Sequence, residues 1–160
     1  MNKFVETINS HQRQLVFCVN RHADQCDPKQ TFSARLAVWE GCIAEVSLLL
    51  TSGLMAEGGI APVPVTEDLM DDPISVYGAQ QARTHARYQI SDASFLSGLQ
   101  CFRSGFGDLL SRTSLSSAER IRIQEQLNNF FDRIEHGFSL AWKNRNEIAQ
   151  PEMPQAVVGD

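Results

Sequence analysis

The chain has no apolar run near the roughly 20 residues that a membrane-spanning helix needs, so no membrane segment is expected. It has no CxxC pair. Cys18, Cys26, Cys42 and Cys101 are scattered, whereas zinc sites favour closely spaced ligands, so free thiols in a reducing compartment are expected. It has no basic excess: 14 Lys and Arg stand against 19 Asp and Glu, a net charge of -5, which argues against a nucleic-acid partner. The phosphate-cradling patterns GxxxxGK(S/T) and GxGxxG are missing, as are GxSxG and HExxH. Glu135 and His136 are adjacent, not at the ExxH spacing that puts two ligands on one face of a di-iron helix. The opening MNKFVETINSHQRQ continues in mixed polar sequence without the apolar stretch of a signal peptide. These absences lead to the expectation of a cytoplasmic, non-catalytic protein.

What is present is helical periodicity. From Ser116 to about Ile148, the residues Ile123, Leu127, Phe130, Phe131, Ile134, Phe138, Ala141 and Trp142 recur at three- and four-residue steps and share one helix face. Ser116 with Glu119 three residues on is a capping box for this helix. Such a stripe has to be covered, and the other segments carry stripes of their own. The first helix is expected over Asn2–Ala23, with Phe4, Ile8, Leu15 and Cys18 inward and His11 and His22 continuing the spacing. Pro28 lies in the break that follows. The second, capped by Thr31, is expected over Phe32–Ala56 with Leu36, Trp39, Ile43, Val46 and Leu50. Leu48, Leu49 and Leu54 widen it enough to suggest burial on several sides or contact with a second subunit.

Glu57 to Asp72, with Gly58–Gly59, Pro62 and Pro64, is irregular. Asp72 followed by Pro73 starts a third helix running to about Gln89, with the more polar stripe Ile74, Tyr77, Gln81, His85 and Tyr88. The fourth, capped by Ser91 or Asp92, runs to Arg112 with Phe95, Leu99, Phe102, Phe106 and Leu109 on one face. Gly98 and Gly105 within it are expected to mark close approach of another helix. The expected fold is all-α: about five antiparallel helices in one bundle, four-helix-bundle-like or globin-like, over residues 1–150. Residues 151–160 are expected to form a tail or the start of a linker.

The polar residues on these helices form two groups. His11, His22, His85 and His136 lie on or beside apolar faces, where an imidazole can be a core residue, a switch or a metal or haem ligand. Haem through His85 or His22 is the cofactor alternative; otherwise none is expected. The second group comprises Arg83, His85, Arg87, Arg103, Asp132, Arg133 and Glu135. If Asp132 and Glu135 face inward they can pair with Arg103 or His85, making a polar pocket among aromatics for a small anionic or polar ligand.

Three stretches carry a family likeness: THARYQI (84–90), SFLSGLQCFRSGFGDLL (94–110) and NNFFDRIEHGFSLAW (128–142). Together they resemble the helical N-terminal sensory domain that precedes PAS and histidine-kinase modules in bacterial signalling proteins. A looser likeness is to the haem-free, globin-like N-terminal domains of stressosome regulators. The resemblance implies an input domain that binds a signal or partner and transmits through its last helix. Its signature falls on His85, Ala86, Phe95, Leu96, Phe102, Arg103, Phe130, Phe131, Asp132, Arg133, Glu135 and Trp142. The polar members, His85, Arg103, Asp132, Arg133 and Glu135, are the candidate ligand-binding residues. A homodimer and a downstream signalling module or protein partner are expected with it. Gln89 and Ile90 stand where the family often carries a basic residue.

Overall fold

The computed structural model describes residues 3–26, 32–63 and 72–144; of residues 26 and 32–38 it describes only the backbone. Every regular element among these is helical: α1 (Lys3–Ser10), α2 (Gln12–Cys26), α3 (Phe32–Met55), α4 (Pro73–Arg87), α5 (Asp92–Arg112) and α6 (Ser117–Lys143). The helices pack on one another as a bundle, as the stripes require. No helix among the described residues is long and apolar enough to cross a membrane. The expected cap at Thr31, the break at Pro28 and the tail over 151–160 lie outside the described residues.

α6 is the axis of the molecule. Its 27 residues span about 40 Å. Ile123, Leu127, Phe130, Phe131, Ile134 and Phe138 are all buried, and α4, α5 and α3 all rest against it. Its start is the expected capping box: Ser116 accepts from the Glu119 N–H while Glu119 accepts from the Ser116 N–H. These bonds from Ser116 hold the Glu119 carboxyl below its ordinary value. Arg120 reaches back to the end of α5, donating to the carbonyls of Leu110 and Ser111 at 2.9 Å and of Thr113 at 3.1 Å. Arg103 meeting Asp132 while Arg120 meets Leu110 shows that α5 and α6 run antiparallel.

The expected first helix is divided at His11. The interruption is a single residue, and the backbone bonds His11 N–H to Thr7 C=O and Leu15 N–H to His11 C=O, both 3.0 Å, run on across it. The apolar stripe survives the division, with Phe4, Ile8, Leu15 and Val19 all buried. α4 begins as expected, with Asp72 accepting from the N–H groups of Ile74 and Ser75. It stops at Arg87 rather than Gln89. Gln89 takes a left-handed conformation (φ 55°), and the bonds Gln89 N–H to Ala86 C=O and Ile90 N–H to His85 C=O close the helix. The chain thereby turns back and lays Ile90 beside α4.

Two crossings depend on missing side chains. Where α4 meets α6, a Cβ on Gly78 would lie 2.1 Å from the Ile134 carbonyl oxygen, and one on Gly137 would lie 1.9 Å from that of Ser75. Where α2 meets α5, a Cβ on Gly105 would lie 2.5 Å from Val19 Cγ2. Gly105 thus marks a helix contact, as expected. Gly98 does not: a Cβ there would meet nothing within 4 Å.

The α2–α5 crossing also carries an ion-pair cluster. Asp108 Oδ2 lies 2.5 Å from Arg21 Nη2 and 2.7 Å from His22 Nε2. Burial by itself would raise the Asp108 carboxyl, but the hydrogen bonds from His22 and Arg21 outweigh it and hold the group below its ordinary 3.8. A carboxyl depressed in the folded state stabilises the fold above its unfolded value, and that contribution is lost as pH falls through the folded value. Asp108→Asn is therefore expected to cost about 1 kcal/mol at neutral pH and almost nothing at pH well below the carboxyl range. Urea melts of both proteins over a pH series from neutral down to about 2 check this.

Candidate functional site

A cavity of about 370 Å³ lies between α3, α4 and α5. Each helix contributes for its own reason. Trp39 and Cys42, three residues apart on α3, face it beside Val46. From α4 come Tyr77, Gln81 and His85, three members of the stripe that the periodicity picked out, with Thr84 beside them; Tyr88, its last member, is exposed. The core-facing side of α4 is instead its small-residue face: Ile74, Ser75, Gly78, Ala79 and Ala82. A helix that presents small residues to one neighbour can approach it closely, which turns its larger polar residues toward the cavity. From α5 come Phe95, Gly98, Leu99 and Phe102. Gly98 has no neighbour because it borders this space, and its missing side chain leaves the space open. Ile90, placed by the end of α4, contributes to the rim.

The wall is mainly apolar and aromatic, with a few hydroxyl, amide and imidazole groups. Burial pushes the Tyr77 phenol well above its ordinary value, reinforced by Cys42 and Glu45. Burial also raises the Cys42 thiol, with Glu45 adding to the effect. Both groups are neutral near pH 7, and a thiol with a raised pKa is a poor nucleophile. The Nδ1 of His85 lies 2.9 Å from the Gln81 carbonyl oxygen. A carbonyl only accepts, so Nδ1 carries the proton of this bond.

An aromatic series links the cavity to α6. The His85 ring meets Phe95 and Phe138 edge-on, at 5.2 and 5.9 Å between centroids. Phe95 stacks on Phe138 at 3.8 Å, with planes 5° apart. Phe138 in turn stacks on Trp142 at 5.4 Å. The path from cavity wall to the end of α6 is therefore four rings in direct contact.

The five residues singled out by sequence fall in three places. His85 alone lines the cavity. Arg103 bonds Asp132 at 2.6 Å, approaches Glu135 at 4.0 Å and lies over the Phe131 ring at 5.7 Å. Asp132 and Glu135 are about half exposed, so this is a surface cluster pinning α5 to α6. Neither acid pairs with His85.

Arg133 holds the chain between α3 and α4. It donates to the carbonyls of Ala61 and Pro62 and to Asp72 Oδ1 at 3.0 Å. Gln126 and Asn129, two turns and one turn before it on α6, bond the N–H and C=O of Ile60. The irregular segment that breaks at Gly58–Gly59 is thus fastened along one polar edge of α6. His22 is committed to Asp108, and His136 Nε2 is buried without a hydrogen-bond partner among the described residues. Among the described residues, no three of His, Cys, Asp and Glu are grouped to hold a metal ion, and Cys18 and Cys42 are free thiols.

Sequence reasoning missed Trp39, Cys42, Tyr77 and Gly98 as site residues. The available signals were a polar stripe on α4 and a helix-interior glycine. No known protein family, curated protein or solved structure matches this chain.

Proposed function

We propose that this chain is a non-catalytic sensory or regulatory domain that binds a small, neutral, largely apolar molecule between α3, α4 and α5 and transmits binding through α6. The observation that carries this reading is the run of touching rings from the cavity wall, where His85 meets Phe95 edge-on, through Phe138 to Trp142. A cavity of this size, apolar with a few polar groups for orientation, suits a compact ligand. A ligand that presses on Phe95 favours one packing of the ring series over another and so biases the end of α6, from which a downstream module or partner would read it. The neutral Cys42 and Tyr77 support binding rather than nucleophilic chemistry. The likeness to bacterial sensory domains supports the same reading, with the homodimer that such domains imply.

The chain has two tryptophans, one at each end of the path. Trp39→Phe leaves Trp142 as the sole reporter. A panel of neutral aromatic alcohols, phenol and benzyl alcohol among them, is expected to raise the melting temperature and change Trp142 emission. Gly98→Leu is expected to abolish both responses while melting no lower than wild type, because it fills the cavity and gains about 0.8 kcal/mol of helix propensity. Binding that survives Gly98→Leu would remove the cavity from the proposal. Haem held through His85 makes a different prediction: a Soret band on adding haemin that His85→Ala abolishes.

A further inference from the structure

α3 has three working sides, and a single chain covers only two. Ile43, Val46 and Leu50 enter the core, and Trp39 and Cys42 line the cavity. The third side carries Leu48, 70% exposed, and Met55, 56% exposed two turns on. A helix apolar on all sides is ordinarily covered on all sides. Beside Leu48 lies a groove of about 430 Å³ between α2 and α3. Val16, Ile43 and Ala44 form its apolar part, with Arg13 on the α2 wall and Glu40 on the α3 wall. Among the described residues neither Arg13 nor Glu40 makes an ion pair.

We infer that two copies of this chain associate through this face about a two-fold axis, Leu48 of each entering the groove of the other. The charge arrangement fits a second copy. The groove carries one sign on each wall, so a half-turn brings the Arg13 wall of one copy against the Glu40 wall of the other, twice. A partner of uniform charge would leave one wall opposed. Exposed ion pairs contribute little affinity, so they set the register while Leu48 supplies the anchor. The face is separate from the cavity, but both are built on α3, so the inference stands whether or not the cavity takes a ligand.

Sedimentation velocity and light scattering on the full chain over a concentration series test this. Wild type is expected to dimerise. Leu48→Glu is expected to raise the dimer dissociation constant at least about tenfold with unchanged circular dichroism and melting of the monomer. Arg13→Glu and Glu40→Arg are each expected to weaken the dimer several-fold, and the double variant to recover most of the loss. The response of Trp142 to aromatic alcohols is expected to persist in Leu48→Glu, which keeps this result distinct from failure of the cavity reading. A wild type that stays monomeric throughout overturns the inference and leaves the face to a different partner. A dimer indifferent to all three single substitutions overturns it in favour of another surface.

Discussion

Gly137→Ala is expected to cost about 3 kcal/mol or more, a large part of the stability of a domain of this size. The added methyl would sit 1.9 Å from the Ser75 carbonyl oxygen, with the Ser75 carbonyl carbon 2.7 Å away. Overpacking usually costs 1–3 kcal/mol because side chains can rotate aside. Here the obstacle is backbone in the first turns of α4, which Asp72, its N-cap, and Arg133 already hold against α6. The helices would have to separate, and the reciprocal contact of Gly78 on Ile134 would open with them. Gly78→Ala is expected to behave alike. Gly98→Ala is the control: the same substitution in a helix interior, where the methyl meets nothing, is expected to stabilise by about 0.5–1 kcal/mol. Denaturant midpoints of the three variants decide the matter. A Gly137→Ala protein as stable as wild type would mean that α4 and α6 do not cross where the structure puts them.

The second large effect belongs to Phe138. Phe138→Ala is expected to cost about 3–5 kcal/mol, since the ring is 1% exposed and lies between Phe95 and Trp142. That loss alone would report packing. Phe138→Leu separates packing from transmission, because it keeps most of the volume and is expected to cost less than about 1.5 kcal/mol. It removes the central ring of the series. In a Trp39→Phe background, Phe138→Leu is therefore expected to remain folded, to be stabilised by aromatic alcohols, and to show no change in Trp142 emission on binding. If emission still responds in full, the ring path does not carry the signal.

The helices were legible because their information is local. The Ser116–Glu119 box, the Asp72–Pro73 start and the buried stripe from Ile123 to Phe138 depend on residues within a few turns of one another. Of the leucines that widen the second helix, Leu54 is buried and Leu48 is 70% exposed, so breadth alone did not tell which sides of the helix the chain covers. The errors came where a residue's role depends on a partner distant in sequence. Gly98 and Gly105 look alike a heptad apart, yet one borders a cavity and the other meets Val19.

The same division runs through the candidate site. Helical spacing puts His85 with Tyr77 and Gln81 on one stripe, and that grouping holds in the cavity wall. Spacing also places Asp132, Arg133 and Glu135 within one turn, but successive residues on a helix point about 100° apart. Asp132 and Glu135 therefore reach Arg103 on α5, while Arg133 reaches Ala61, Pro62 and Asp72 on the other side. By itself the sequence determined that the chain is helical, where most helices begin, and which faces shun water, because propensity, capping and periodicity act over a few residues. Only the tertiary structure decided which glycines are contacts, that α4 shows its small residues to α6 and its polar stripe to a cavity, and that an edge-on imidazole and three stacked rings from three helices meet. Those outcomes depend on the angle and depth at which whole helices cross, and no short stretch of the chain encodes that.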